Sequence, residues 1–465
     1  TFYALIVNQN SKAMKKLSAL IVLSSILFPV ISQNHYDDVA VIMNYNSDVS
    51  IEIGTYFAEQ RSIPDDNLIY IDCLTEEVVD TTEFRNICNQ ILDQLEENNL
   101  ETSINYLVTT RGIPVNVSYG DSCTGFEGLH CRSLDNQLTL LNSSLVDDPV
   151  GEFYIENPYY ASVDNFSSEI FDFFLISRLD GMNPNSVLSM IDKSGPHCPV
   201  VKEEAQTLVD FVHPDTNVVD LFSRYFEDAL EFLDYNDWSY QFDPDTQLIS
   251  QQDDLLMYTN MIYESNVDQP EFTWLNGSFV NTILTYTDLG FYAVGEEIPY
   301  SLLNLMNSGA SGGGGYANVY FASEGPKQEL LYSRYLNDTS EKRYNLAESY
   351  YASVPRLSYQ YILIGDPKTS LDIVYAGQED HELVMDRLHV YPNPGSGDVN
   401  LDFHQDVRLK SIIIYNQYGQ SVYQEDPGMV VKKHKINLRH LSAGLYFLRI
   451  QPEMGNLITQ KLIIR

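Results

Sequence analysis

Charged residues stand directly behind several apolar, strand-like runs of this chain: Arg111 in "TTRGIP", Arg178 and Asp180 in "SRLDG", Asp288 in "TYTDLG" and Asp366 in "IGDP". Open α/β sheets bind ligands beyond the carboxyl ends of their strands. Two guanidinium groups and three carboxylates so placed make a candidate ligand-binding site for a polar or charged partner, with turn formation and ion pairing as the competing account of Arg178, Asp180 and Asp366. Nucleophilic chemistry is harder to assemble. His130-Cys131 and His197-Cys198 set an imidazole beside a thiol, but adjacent side chains on a strand point apart. Ser278, Thr285 and Ser349 offer hydroxyl nucleophiles, with Asp180, Glu324 or Asp366 to serve them. No His lies between His213 and His381, so these hydroxyls lack the usual general base nearby. In "GASGGGGYANV" (309–319) Tyr316 follows the glycines where a phosphate-cradling loop needs Gly-Lys-Ser/Thr. The run reads better as a helix stop leading into a strand. No metal set and no cofactor motif is expected.

The elements that must position these residues alternate. "VAVIMNY" (39–45), "NLIYID" (67–72) and "INYLVTT" (104–110) are short apolar runs of the kind that form buried parallel strands. Val49 to Gln60 can form a helix between the first two. "TTEFRNICNQILDQLEENN" places Phe84, Ile87, Ile91 and Leu95 on one helical face. This β-α-β-α-β beat predicts a doubly wound, mostly parallel sheet. It returns with "FDFFLIS" (171–177) and a helix from Pro184, whose missing amide hydrogen suits a first turn. Further strands are expected at 254–263 and 281–287 and helices at 299–307 and 344–353, with "YQYILIG" (359–365) closing the sheet.

The chain is strongly acidic, with a net charge of −38. Residues 388–465 hold nine of the 27 basic and six of the 65 acidic residues, so the tail is mildly basic and the body carries the negative charge. Such a body repels nucleic acid and anionic lipid headgroups. "MKKLSALIVLSSILFPVISQ" (14–33) has the basic start, apolar run and small-residue end of a secretory signal peptide. Its apolar run falls short of the ~20 residues that span a bilayer, and no other stretch reaches that length. Thr1 to Ala13 read as an upstream extension, and the mature chain is expected to begin near Gln33 or Asn34. Export to an oxidising compartment favours disulfides among the five Cys. Cys73 with Cys88 and Cys123 with Cys131 are the local candidate pairs, leaving Cys198.

The segments "YLVTTRGIP", "SLDNQL", "FFLISRLDG", "TWLNGSFVNT", "GASGGGGYANV", "AESYYASVP" and "ILIGDPKTSL" occur in an order that resembles a family of exported bacterial proteins distantly similar to gingipain-type cysteine peptidases. That resemblance implies a caspase-like α/β body over roughly 36–375. The family's enzymes place a His-Gly step after one strand and a Cys after the next. "MYTNMIYESN" has no His and "TILTYTDLG" no Cys, so the family's catalytic positions are empty in this chain. "LHVYPNP", "VRLKSIIIYNQYGQSVY", "INLRHLSAGLYFLRI" and "KLIIR" resemble the C-terminal sorting domain of the type IX secretion system of Bacteroidetes. The alternation in this tail, punctuated by Asn-Pro and Gly turns, predicts a small antiparallel β-sandwich. The expected organisation is an extension and signal peptide at 1–33, the body at 34–375, a linker at 376–387 where the tail is cut, and the sorting domain at 388–465. The resemblance implies a secreted or outer-membrane-surface protein that engages the type IX machinery, with a catalytically silent body binding an unknown surface ligand. A hydrolase with a non-Cys nucleophile is the alternative.

Overall fold

The computed structural model describes residues 36–120, 123, 131–146, 155–212, 216–243, 248–262, 268–282, 291–292, 299–317, 325–338, 343–375, 389–395, 397–417, 419–428, 430–452 and 458–465. The leader at 14–33, the linker at 376–387, Thr285, Asp288 and Glu324 lie outside the described residues. The chain divides into two compact units. One runs up to Val200 and from Ala205 to Asp372; the other holds Ile373–Arg465 with Val201–Glu204. No helix among the described residues is long and apolar enough to cross a membrane.

Apolar runs of the body become strands of one ten-stranded sheet. Its first half consists of β1 (Val39–Asn44), β2 (Leu68–Ile71), β3 (Tyr106–Thr110) and β4 (Leu175–Leu179), paired in parallel in the order β4-β3-β1-β2. β1, β3 and β4 are buried along their whole length, which is why they read as unbroken apolar runs. β4 starts later than the expected 171–177, because Ser168–Phe171 forms a short helix ahead of it. The expected helices form at Asp48–Arg61, Thr81–Glu97 and Pro184–Lys193. The second is capped by the Asp80 carboxylate, which accepts from the amides of Thr82 and Glu83, and it buries Phe84, Ile87, Ile91 and Leu95. The third begins with Pro184 in its first turn, inside a capping box made by Asn183 and Ser186.

The second half holds β5 (Gln206–Val212), β6 (Tyr240–Asp243), β7 (Gln251–Ile262), β8 (Glu271–Thr282) and β9 (Gly312–Tyr316), parallel in the order β6-β5-β7-β8-β9. The strand expected at 281–287 ends at Thr282 and begins ten residues before Asn281, while 283–287 lie outside the described residues. β10 (Tyr361–Gly365), expected as the closing strand, lies mid-sheet between β9 and β4 and runs antiparallel to β9.

The glycine run follows the stop of helix Leu302–Asn307, with Gly309 at φ 120°, and leads into the strand β9 as expected, except that Gly312 to Gly315 are themselves strand residues. Helix Leu302–Asn307 and helix Leu346–Ser353 supply the side chains that cover it. A Cβ would come 2.4 Å from Leu302 at Gly313 and 2.3 Å from the Tyr350 ring at Gly314. Bare backbone is therefore the packing surface on both faces.

Three short strands, Val78–Asp80, Asn116–Ser118 and Cys131–Ser133, form a separate sheet. Its Cys131 carries a disulfide to Cys123, one of the two expected local bridges.

The named strands of the tail pair antiparallel, with one parallel bridge between Gly395 and Ile464. β11 (His389–Tyr391), β12 (Asp398–Asn416), β13 (Ser421–Glu425), β14 (Val430–Asn437), β15 (Gly444–Pro452) and β16 (Ile458–Ile464) form the tail. The 19-residue β12 pairs through its first part with β11 and β14 and through its second with β13 and β15. Val399, Leu401, Phe403, Ile412, Ile414, Leu448 and Ile450 are among its buried core.

Candidate functional site

Three of the sequence-derived residues meet where β3 and β4 end. Arg178, the fourth residue of β4, is fully buried. It donates through Nε and Nη2 to the two carboxylate oxygens of Asp135 at 2.7 and 2.8 Å, and through Nη1 and Nη2 to the carbonyls of Ile113 and Pro114. Thr109 Oγ1 also donates to Asp135 at 2.9 Å. Burial opposes the positive charge, but Asp135 and then Asp180 outweigh it and hold the guanidinium above its ordinary pKa. Arg178 is thus a clamp that fixes the loop after β3.

Asp180, also buried, lies 3.6 Å from Arg178. It accepts from Arg111 Nη1 at 3.0 Å, from the Gly181 amide at 2.8 Å and from Tyr292 Oη at 2.7 Å. Burial first, then the Asp180 carboxylate, pushes the Tyr292 phenol well above its usual range, so Tyr292 stays a neutral donor. Arg111 differs from its neighbours. Its side chain is 25 % exposed, and its guanidinium rests 4.5 Å from the Tyr292 ring centroid, a cation–π seat. Nη1 also donates to the Gly181 carbonyl. Among the described residues, Nε and Nη2 of Arg111 make no hydrogen bond.

Asp366 is not in this group. It accepts from Tyr36 Oη at 2.6 Å and Arg61 Nε at 2.7 Å. Tyr36 precedes β1, and Arg61 ends the helix that returns from the far end of β1. Asp366 therefore sits on the amino-terminal side of β1, across the sheet from Arg111. Asp288 lies outside the described residues.

The candidate nucleophiles fare differently again. Ser278 is buried in β8, and its Oγ meets the amide and hydroxyl of Ser311 at 3.1 and 3.4 Å. Ser349 is buried in its helix and donates to the Asn345 carbonyl at 2.8 Å. Among the described residues, neither hydroxyl contacts a carboxylate or imidazole.

Cys73, Cys88 and Cys198 are buried thiols, which corrects the expected Cys73–Cys88 bridge. Both residues pack as small apolar side chains in the core around β1. Burial, with Glu83 adding, pushes Cys73 up to about 12, and burial, with Asp366 adding, pushes Cys198 up to about 11. Iodoacetamide at pH 8 is therefore expected to leave the native protein unlabelled. The same reagent should label three Cys in denaturant and five after reduction. Native labelling of Cys73 or Cys198, read by peptide mapping, would contradict this burial.

Sequence reasoning passed over two residues. Asp135, in "SLDNQL", is the partner that fixes Arg178, and 43 positions separate them, beyond any local pattern. Asp210 lies buried in β5. Its Oδ2 accepts from the Ile249 amide at 3.2 Å and Tyr258 Oη at 3.4 Å, and burial pushes its carboxyl up to about 7. A carboxylate inside the apolar run "TLVDFV" was the available signal.

Residues 389–465 match the family described as secretion system C-terminal sorting domain. The chain thus ends in a type IX sorting domain and is exported. No curated protein matches the chain. Solved structures similar to it include the arginine-specific cysteine proteinase gingipain R, at 10 % identity and TM-score 0.36, covering 92 % of this chain and 98 % of that one. A complex of the RgpB pro- and mature domains from Porphyromonas gingivalis is similar at 12 % identity and TM-score 0.37, covering 92 % and 100 %. A structure titled only as a protease is similar at 9 % identity and TM-score 0.35, covering 91 % and 96 %.

Proposed function

We propose that this exported protein is a binding module rather than a hydrolase, and that its body takes an anionic group of a surface ligand at Arg111. The observation that carries the reading is the contrast within one cluster. Arg178 and Asp180 are buried and engaged, while Arg111 keeps part of its guanidinium exposed on an aromatic seat. A guanidinium held by one nitrogen on a fixed carboxylate presents its remaining fork to a carboxylate or similar planar anion. The buried, base-free surroundings of Ser278 and Ser349 and the raised pKa values of Cys73 and Cys198 take support from the hydrolytic alternative.

The test is to screen the purified full chain on arrays of anionic glycans and peptides, with Arg111→Ala beside the wild type, and to assay both on a broad peptide library. Binding that falls at least tenfold in the variant, with no turnover, is the expected result. Cleavage abolished by Ser278→Ala or Ser349→Ala would replace this reading with the hydrolase. Deleting residues 389–465 is expected to retain the protein in the periplasm, read by fractionation and immunoblot. Release of the truncated chain to the surface or medium would show that the tail is not its only address.

A further inference from the structure

The opposite half of the sheet carries a second polar group that the Arg111 cluster does not use. Asp210 on β5 is in register with Asp243 on β6 and with Asn260 on β7. Register partners of parallel strands project from the same face, and neighbouring strands lie ~4.8 Å apart. Two carboxylates and a carboxamide therefore stand side by side near the carboxyl ends of three adjacent strands. Asp210 is fully buried, and among the described residues its Oδ1 has no hydrogen-bond partner. An orphan carboxylate oxygen in the interior is costly, and a second carboxylate directly beside it on the neighbouring strand adds repulsion. Asn260 Nδ2 donates to the Tyr300 carbonyl at 3.2 Å, which fixes the amide and leaves Oδ1 as its coordinating atom. Asp243 on the edge strand is half-buried, so the row opens toward solvent at that end.

We propose that Asp210, Asp243 and Asn260 form a binding site for a hard divalent cation, calcium before magnesium. The donors are all oxygens, as calcium requires, and the set mixes carboxylate with carbonyl oxygen. Calcium is favoured over magnesium because oxygens anchored on separate strands suit its longer bonds and irregular coordination better than a tight octahedron.

The probe is calcium chloride, with magnesium chloride in parallel, titrated into the EDTA-stripped full chain at pH 8 and followed by calorimetry and by melting temperature. The acidic surface can take up further ions, so the decisive quantity is the difference between variants. Wild type is expected to bind one more calcium per chain than Asp210→Asn, with a dissociation constant on the order of 10⁻⁴–10⁻³ M, as for extracellular modules. The calcium-induced rise in melting temperature should shrink in the variant. Asp243→Asn, on the edge strand, is expected to weaken the same site at least tenfold and serves should Asp210→Asn fail to fold. Equal calcium stoichiometry in wild type and the folded variants, or no binding by wild type, overturns the proposal.

Discussion

Replacing Arg178 with Met is expected to destabilise the body by about 3–5 kcal/mol, the cost of leaving one partner of a buried ion pair alone. The change strips two charge-assisted hydrogen bonds from Asp135 and one each from the carbonyls of Ile113 and Pro114. Asp135 is itself buried, so its charge has nowhere to go. Both tryptophans, Trp238 and Trp274, lie in the body, so tryptophan fluorescence during urea unfolding of the full chain reports this unit and not the tail. Removing both charges with Asp135→Leu/Arg178→Met should cost less than the two single changes summed, since no uncompensated charge remains. A single Arg178→Met variant within about 1 kcal/mol of wild type would mean that the pair is not the clamp described above.

The second large effect is expected in the glycine strand. Gly314→Ala drives a methyl to 2.3 Å from the Tyr350 ring, and Gly313→Ala another to 2.4 Å from Leu302. Both neighbours are buried, and overpacking of this kind typically costs about 1–3 kcal/mol. Two rescues test whether packing is the cause. Gly314→Ala should regain stability when Tyr350 is cut to Leu, and Gly313→Ala when Leu302 is cut to Ala. Tyr350→Phe should not help the first, because the clash is with ring carbons rather than the hydroxyl. Loss of stability that neither rescue relieves would mean that the clash with Leu302 or Tyr350 is not its cause, and chain entropy would not account for it either, since removing a glycine's freedom in the unfolded chain is stabilising.

These two regions also mark where sequence and structure part. β1 and β3 were legible because burial on both faces writes an unbroken apolar run, and helix Thr81–Glu97 because its apolar residues recur at helical spacing. The helix Thr216–Tyr235 carried the same signal, with Phe226, Ala229 and Leu233 buried, and was overlooked. The glycine run was legible as leading into a strand, but its glycines were not legible as strand residues, since a residue without a side chain has no periodicity. What makes it a strand is its pairing with β8 and β10, and what requires glycine there is the closeness of Leu302, Leu346 and Tyr350. For the site, rules for strand ends found Arg111, Arg178 and Asp180 but set Asp366 beside them, because its partners Tyr36 and Arg61 lie more than 300 positions away in the sequence.

The pairing of β12 has a consequence for how the export address behaves. One strand belongs to both parts of the tail, joining β11 and β14 at one end to β13 and β15 at the other. Neither part can melt without releasing a strand on which the other depends, so the tail should unfold as one cooperative unit. An apparatus that inspects it then meets a binary signal, intact or absent, and a chain whose last strands are still incomplete presents no half-strength address.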